Sequence, residues 1–406
     1  MLKPGQSVLI NKRRWHLRQV IPEAGRRVRL ETVGTSTAAQ GLTRELIAFH
    51  YGDDLFIEQR HQRYWRANLQ TDWLEDDLLV GPMLQFQPTT WLDFLAVHTQ
   101  YPASGDLVNE LSWSHSRAAK YQTCSRAYYY HYYAAWEGWQ ADAPAPVKRA
   151  YLLKNLTTIP LWVGTIVHES IKFTMARLKA GQDVSESDLI KQMHTRAQAD
   201  FETSQSGQYQ QAPNQLQGFQ AHYYQKKLPN TAWSDAWQRA EQALQTFMRS
   251  SLYATLSQQP ASTFLDTETL QAFTWADTKI WVQIDLLCQT DQTIYIYDWK
   301  TGAIDEATTR QQLGVYALYV RQTWPEITHL PLKGVVYNLT DDQRLDLDLD
   351  ESILQETQQR IETSVAHLRQ QLLDVDQNLA DIQQFPMIDD RQLCQQCQFR
   401  ELCDRA

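Results

Sequence analysis

The stretch that decides the fold reads Trp281-Val-Gln-Ile-Asp-Leu-Leu-Cys288, then Gln289-Thr-Asp-Gln-Thr293, then Ile294-Tyr-Ile-Tyr-Asp-Trp-Lys-Thr-Gly302. Runs rich in β-branched and aromatic residues flank a polar turn, which predicts a β-hairpin. Side chains alternate along a strand, so Asp298 and Lys300 share one face with Ile294 and Ile296, while Tyr295, Tyr297 and Trp299 take the other. Asp285 is expected mid-strand in the partner, in a register that converges on Asp298. A carboxylate in a buried strand is costly unless something cationic satisfies it. Two carboxylates beside a lysine point to a divalent ion with oxygen ligands, Mg2+ or Mn2+. Such an ion polarises a phosphate oxygen and acidifies a bound water, and the Lys300 ammonium is placed to hold that water or offset developing charge. An Asp–Lys ion pair at a strand end plus an unrelated aspartate has the same spacing.

The neighbouring segments narrow this choice. Trp162 to Leu178 predicts an amphipathic helix with Ile166, Val167, Ile171, Met175 and Leu178 on one side. His168 falls at the edge of that stripe, where a lone histidine is ordinarily a packed core residue. A helix over 308–322 puts Gln312 and Tyr316 on one face. Glu268, on the strand before the hairpin, is a further candidate acid. The ordered set His168, Asp285, Asp298-x-Lys300 and Gln312-x3-Tyr316 resembles the RecB-like branch of the PD-(D/E)XK nucleases. The resemblance covers about 112–406 and implies an α/β fold of restriction-endonuclease type, a mixed central sheet flanked by helices. It implies His168, Asp285 and Asp298 as metal ligands and Lys300 as the catalytic lysine. Gln312 and Tyr316 then support the site and the DNA. In this chain Tyr297 precedes the acid of the D-x-K element, and the family's nominal Pro-Asp start is absent.

The chain holds five cysteines, three of them in Cys394-x2-Cys397-x5-Cys403 and a fourth candidate far upstream at Cys124. Clustered cysteines in an intracellular chain are more often metal or cluster ligands than disulfides. Spacing alone allows zinc as well as an iron–sulfur cluster. The arrangement, with Ser112-x-Ser114 leading into Tyr121-Gln-Thr-Cys124, resembles the iron-staple nucleases: the AddB-type subunit and the CRISPR-associated RecB-like exonucleases. There one cysteine precedes the nuclease core and three follow it, which implies a [4Fe–4S] cluster on Cys124, Cys394, Cys397 and Cys403. Such a cluster would clasp the two ends of the domain. Cys288 is left over as a buried strand residue.

Working outward, residues 1–80 carry short alternating runs, Ser7–Asn11, Trp15–Ile21, Arg27–Val33 and Glu45–Tyr51, and predict a small β-rich barrel or half-barrel. Residues 81–110, with Gly81, Pro82, Pro88, Pro102 and Gly105, read as a linker. The remainder, 111–406, is expected to be the nuclease domain, with a helical insertion at about 180–260, strands over 333–349 and an acidic helix over 351–380.

The formal net charge of −9 argues against a uniformly basic nucleic-acid binder. Its distribution is uneven. Residues 1–30 hold eight Lys/Arg and one acid, whereas 341–381 hold eleven Asp/Glu against Arg344, Arg360 and Arg369. This fits a local polyanion contact, or two solvated faces. No apolar run approaches the ~20 residues of a membrane helix and no signal-peptide pattern follows Met1, so a soluble cytoplasmic protein is expected.

Together these readings predict a metal-dependent DNA exonuclease or end-processing nuclease, in DNA repair or antiviral defence. A non-cleaving DNA-end-binding adaptor subunit is the alternative. No G-x4-G-K-[ST] loop is present, so a separate helicase or ATPase partner is expected to supply any motor.

Overall fold

The computed structural model describes residues 2–35, 37, 39–59, 63–75, 82–229, 231–403 and 405. The chain forms two compact units. One gathers 1–110, 123–154 and 371–406, and the other 111–122 and 155–370. No helix among the described residues is long and apolar enough to cross a membrane.

In the first unit, strands Ser7–Ile10, Arg13–Pro22, Arg27–Gly34, Thr43–Tyr51, Asp54–Gln59, Arg63–Asn68 and Met83–Thr89 follow one another around a sheet. The last strand returns to lie parallel to the first, Ser7 opposite Met83, so the barrel is closed. Strict alternation along Arg27–Gly34 sends Val28, Leu30 and Thr32 inward. There Val28 and Leu30 join Val8, Trp15, Leu17, Ile57 and Phe86 in one core. The strands of the β-rich module lie where the alternation places them, but the module does not stop at 80. The segment read as a linker supplies the closing strand Met83–Thr89 and the helix Trp91–His98. Pro88 misled because it sits near the strand's end, opposite Trp65, where a proline is tolerated. Gly81 lies outside the described residues.

Helix Trp91–His98 delivers His98 into this unit at 4% exposure. Its Nδ1 accepts from Arg26 Nη1 at 3.1 Å and lies 3.0 Å from the Tyr51 hydroxyl. A guanidinium can only donate, so the ring is neutral with its proton on Nε2. Burial, then the Arg26 charge, pushes the His98 pKa down to about 3. The folded state therefore binds fewer protons than the unfolded one between about pH 6.5 and pH 3. The stabilisation is complete above 6.5 and is lost as pH falls through that window. About 2 kcal/mol of stability should disappear between pH 7 and pH 5 by this route. Urea titrations of the wild type and His98→Asn at both pH values check it: the wild-type drop should exceed the variant's by roughly that amount.

The same unit ties residues 125–133 to the C-terminal segment. Helix Ser125–Tyr129 runs into a π turn, Tyr130–Ala134. Arg126 donates to the carbonyls of Phe385 and Ile382 at 2.6 and 3.2 Å. Ser125 donates to the Pro386 carbonyl at 2.9 Å, and the Tyr130 hydroxyl to that of Leu402 at 2.8 Å.

The second unit holds a five-stranded mixed sheet in the order Phe264–Asp266, Leu286–Gln289, Ile294–Lys300, Leu332–Asn338, Gln343–Asp348. Ile294–Lys300 is its centre, antiparallel to Leu286–Gln289 and parallel to Leu332–Asn338. A parallel pair needs a crossover, and helix Glu306–Thr323 lies in that connection. A second sheet pairs Leu270–Trp275 with Thr278–Gln283 and the short strand Ser112–Trp113. Trp281–Cys288 is therefore not one strand. It changes sheets at Ile284–Asp285, so Asp285 sits in the break and not mid-strand. Helices Ile159–Lys179, Glu186–Ser206 and Ala232–Arg249 pack around Trp162, Ile171, Met193, Leu244 and Phe247, so 180–260 is largely helical.

The acidic helix spans Glu351–Gln370 and ends ten residues before the expected 380. Strands Leu372–Asp374 and Leu379–Ala380 follow as a tight hairpin. Its turn is made by Asp374 Oδ1 accepting from Gln377 N at 2.9 Å and by Asn378 in the left-handed region, φ +51°. Helix Glu306–Thr323 approaches helix Glu351–Gln370 at Gly314, where a β-carbon would stand 2.2 Å from Thr357 Oγ1. Thr357 cannot easily yield, since its hydroxyl donates to the Ile353 carbonyl at 2.7 Å. Gly314→Ala is expected to destabilise by about 1–3 kcal/mol through overpacking. Gly314→Ala combined with Thr357→Ala should recover most of it in denaturant titrations.

Candidate active site

The site is built where the central strand outruns its neighbour. The ladder between Leu286–Gln289 and Ile294–Lys300 ends at the pair Leu286–Tyr297. On that edge the backbone of Trp299 is left without a strand partner, and side chains take its two polar groups. Trp299 N donates to Asp285 Oδ2 at 2.7 Å, and its carbonyl lies 3.0 Å from His168 Nε2. A carbonyl can only accept, so Nε2 carries a proton and Nδ1 is the nitrogen that faces the acids. Nδ1 is 3.2 Å from Asp285 Oδ1 and 3.5 Å from Glu268 Oε1. Burial alone would lower the His168 pKa. The Asp285 carboxylate and then Glu268 overturn that and hold it well above the ordinary value.

Among the described residues, His168, Glu268 and Asp285 form the one group of three metal-ligating side chains whose ligand atoms lie within 4.8 Å of one another. One nitrogen and two carboxylate oxygens, with Nδ1 held either by a proton or by an ion, suit Mg2+ or Mn2+. Glu268 Oε1 is buried, with the 3.5 Å approach of His168 Nδ1 in place of a full hydrogen bond, which leaves it with capacity to coordinate a cation. The residue itself takes a left-handed φ of +44°, with its carbonyl accepting from Lys172 Nζ at 2.9 Å.

Asp298, also read as a ligand, stands beside this group. Its Oδ2 is 2.7 Å from Lys300 Nζ. It is 1% exposed, and burial together with the Asp285 charge pushes its carboxyl up to about 6. Lys300 Nζ donates to Gln312 Oε1 at 3.0 Å, and Gln312 Nε2 donates to the Tyr316 hydroxyl at 2.8 Å. Burial and then the Asp285 and Asp298 charges raise the Tyr316 phenol well above its usual pKa, so it stays protonated. The structure thus joins Asp298, Lys300, Gln312 and Tyr316 in one chain of contacts, beside His168, Asp285 and Glu268. The opposite face of the same strand is purely structural: Tyr295, Tyr297 and Trp299 stack in sequence at 6.0 and 5.7 Å.

A protein-family model described as the PD-(D/E)XK nuclease superfamily matches residues 112–404, most of the chain. The chain belongs to the PD-(D/E)XK nuclease superfamily. A search among curated proteins gave no match. Members of this superfamily are generally metal-dependent nucleases, and the divalent-ion chemistry deduced from the paired carboxylates agrees with that class.

The four cysteines lie in the first unit. Cys124 caps helix Ser125–Tyr129. Cys394 lies in helix Arg391–Gln396, Cys397 follows it as the cap, and Cys403 ends a 3-10 turn. All four are partly buried. Burial pushes the Cys403 thiol up to about 11, and the Cys397 and Cys124 charges add to this. Arg405 Nη1 lies 3.2 Å from Cys394 Sγ. No three of these sulfurs approach one another within 4.8 Å. Cys288 is a buried strand residue.

Glu268, expected on the strand before the hairpin, lies between Phe264–Asp266 and Leu270–Trp275. Its strand is interrupted at that residue, and its partners His168 and Lys172 come from a helix about a hundred residues earlier.

Proposed function

We propose that this PD-(D/E)XK protein is a deoxyribonuclease of the RecB-like kind, an exonuclease or end-processing enzyme acting on single strands or frayed ends. The observation that carries this reading is the convergence of His168, Glu268 and Asp285 beside the Asp298–Lys300 pair. His168, Asp285 and Asp298 would hold a Mg2+ or Mn2+ ion, with Glu268 close enough to serve as an additional ligand. When bound, that ion supplies Lewis acidity to the scissile phosphate and an acidified water. Lys300 is pinned between Asp298 and Gln312, so its ammonium is aimed without a search among rotamers. From there it can hold the attacking water and offset charge on the phosphate. Gln312 accepts from Lys300 and donates to Tyr316, which leaves the phenol proton free for the carboxylates or the strand.

The reading extends to a [4Fe–4S] cluster on Cys124, Cys394, Cys397 and Cys403. A single zinc with ligands at about 2.3 Å would draw four thiolates to within about 4 Å of one another. A cube of iron and sulfide holds its four thiolates further apart, and the metal carried by the purified protein tells the two apart. The hydrogen bonds from Ser125, Arg126 and Tyr130 to the C-terminal segment hold the ligand-bearing segments together in the clasp that such a cluster would lock. The protein would work in the cytoplasm, in DNA repair or in defence against foreign DNA, beside a separate helicase or ATPase.

The test is an end-labelled DNA assay on anaerobically purified protein with Mn2+, using single strands and frayed and blunt duplexes. Progressive loss of label from single strands and frayed ends is expected. DNA left intact by wild type and Asp298→Ala alike would overturn the reading. Salt-dependent binding without turnover would mark an end-binding adaptor instead.

A further inference from the structure

Beside the acidic half of the site lies a cationic half that the metal chemistry does not use. Helix Glu351–Gln370 projects Arg360 over the Trp113 ring at 5.2 Å. Arg360 Nη2 donates to the Gln311 carbonyl at 3.1 Å, one residue before the Gln312 that holds Lys300. Its Nε is buried without a hydrogen-bond partner, and no acid among the described residues pairs with it. The two acids nearest to it along its own helix are engaged elsewhere: Glu356 pairs with Arg310 at 3.2 Å, and Glu362 accepts from the Trp275 indole at 3.1 Å. His115 follows Trp113 and Ser114 in the chain, and its Nδ1 is likewise buried and unpartnered. Burial, then the charges of Arg360 and Lys300, holds the His115 pKa down at about 4, which puts all three groups within electrostatic reach of one another.

A partly buried guanidinium without a counter-ion is costly in isolation, and here it sits with an unfilled histidine position next to a phosphate-cleaving centre. We propose that Arg360 and His115 form a seat for the nucleic-acid phosphate next to the one that is cut. Arg360 offers the guanidinium fork that matches a phosphate, and His115 supplies one neutral N–H. Trp113 fixes the plane of the fork. The seat orients the strand so that the scissile phosphate falls between the carboxylates and Lys300; Arg360 and His115 are positioning residues. This inference rests on the nuclease reading of the site.

Arg360→Gln and His115→Gln are tested in two arms. In the cleavage arm with Mn2+, KM for a short single-stranded DNA should rise about tenfold with kcat nearly unchanged. In the binding arm, with Ca2+ replacing Mn2+, the affinity of a fluorescent single strand is followed against KCl. The slope of log K against log salt should fall by about 0.7 for Arg360→Gln, one released phosphate contact, and return for Arg360→Lys. Melting curves show whether each variant is folded. A folded Arg360→Gln with unchanged KM and unchanged salt slope overturns the seat, as does a loss confined to kcat. The binding arm needs no turnover. A lost slope in a chain that cleaves nothing therefore supports the seat while sinking the nuclease reading.

Discussion

Asp298→Asn is expected to lower DNA cleavage by about a thousandfold or more while leaving the fold intact. The substitution changes charge and not shape. Asparagine has the volume of aspartate and can still accept from Lys300, so the central strand need not move. The negative charge disappears, however, from a position that is 1% exposed, between Lys300 and the Asp285–His168 pair. A cation that depends on that charge loses an anionic ligand, and the Lys300 ammonium keeps an acceptor but loses its counter-ion. The loss should appear in kcat and in metal affinity together. Wild type should gain about 2.7 kcal/mol of stability when Mn2+ is a hundredfold above its Kd, and Asp298→Asn should show little of that gain. A variant that keeps both activity and the Mn2+-linked rise in Tm would remove Asp298 from the site.

The second large effect is expected at the other unit. Cys394→Ser or Cys403→Ser should strip most of the iron from anaerobically purified protein and lower its stability by on the order of 5 kcal/mol. That figure is the chain-entropy value for a cross-link closing a loop of several hundred residues. The hydrogen bonds from Arg126 to Phe385 and Ile382 and from Tyr130 to Leu402 remain in the variant. Residues 125–133 should therefore stay near the C-terminal segment but melt earlier, at a lower temperature than the helices around Trp162. Cys288→Ser, deep in a strand, should leave the iron content unchanged. Stoichiometric zinc in place of iron, or full iron in Cys394→Ser, would refute the cluster.

Much of this was legible because it is periodic. Alternation in Ile294–Lys300 separated Asp298 and Lys300 from the stacked Tyr295, Tyr297 and Trp299, and the four-residue spacing of Gln312 and Tyr316 put both on one helix face. What escaped is non-local or locally disguised. The apolar run through Ile284, Leu286 and Leu287 continues unbroken past Asp285, so nothing in it announces that the strand changes sheets there; that switch is imposed by pairing with Leu270–Trp275 on one side and Ile294–Lys300 on the other. The same switch frees the Trp299 backbone to orient His168 and Asp285. The early end of the acidic helix did leave a trace, since Asp374 and Asn378 are turn formers, but the acidic composition on both sides masked it. Pro88 in the closing barrel strand is the reverse case, a breaker that breaks nothing. Arg360 and His115 lie far apart in the chain, and no spacing rule connects them.

In the proposed mechanism a divalent ion binds between His168 Nδ1 and the carboxylates of Asp285, Asp298 and Glu268. Crystals grown with Mn2+ and measured at a wavelength that excites manganese test it directly. An anomalous peak is expected within coordination distance of His168 Nδ1 and Asp285, absent from Asp298→Asn crystals soaked in the same way. A peak elsewhere, or none at this site under saturating Mn2+, would contradict it.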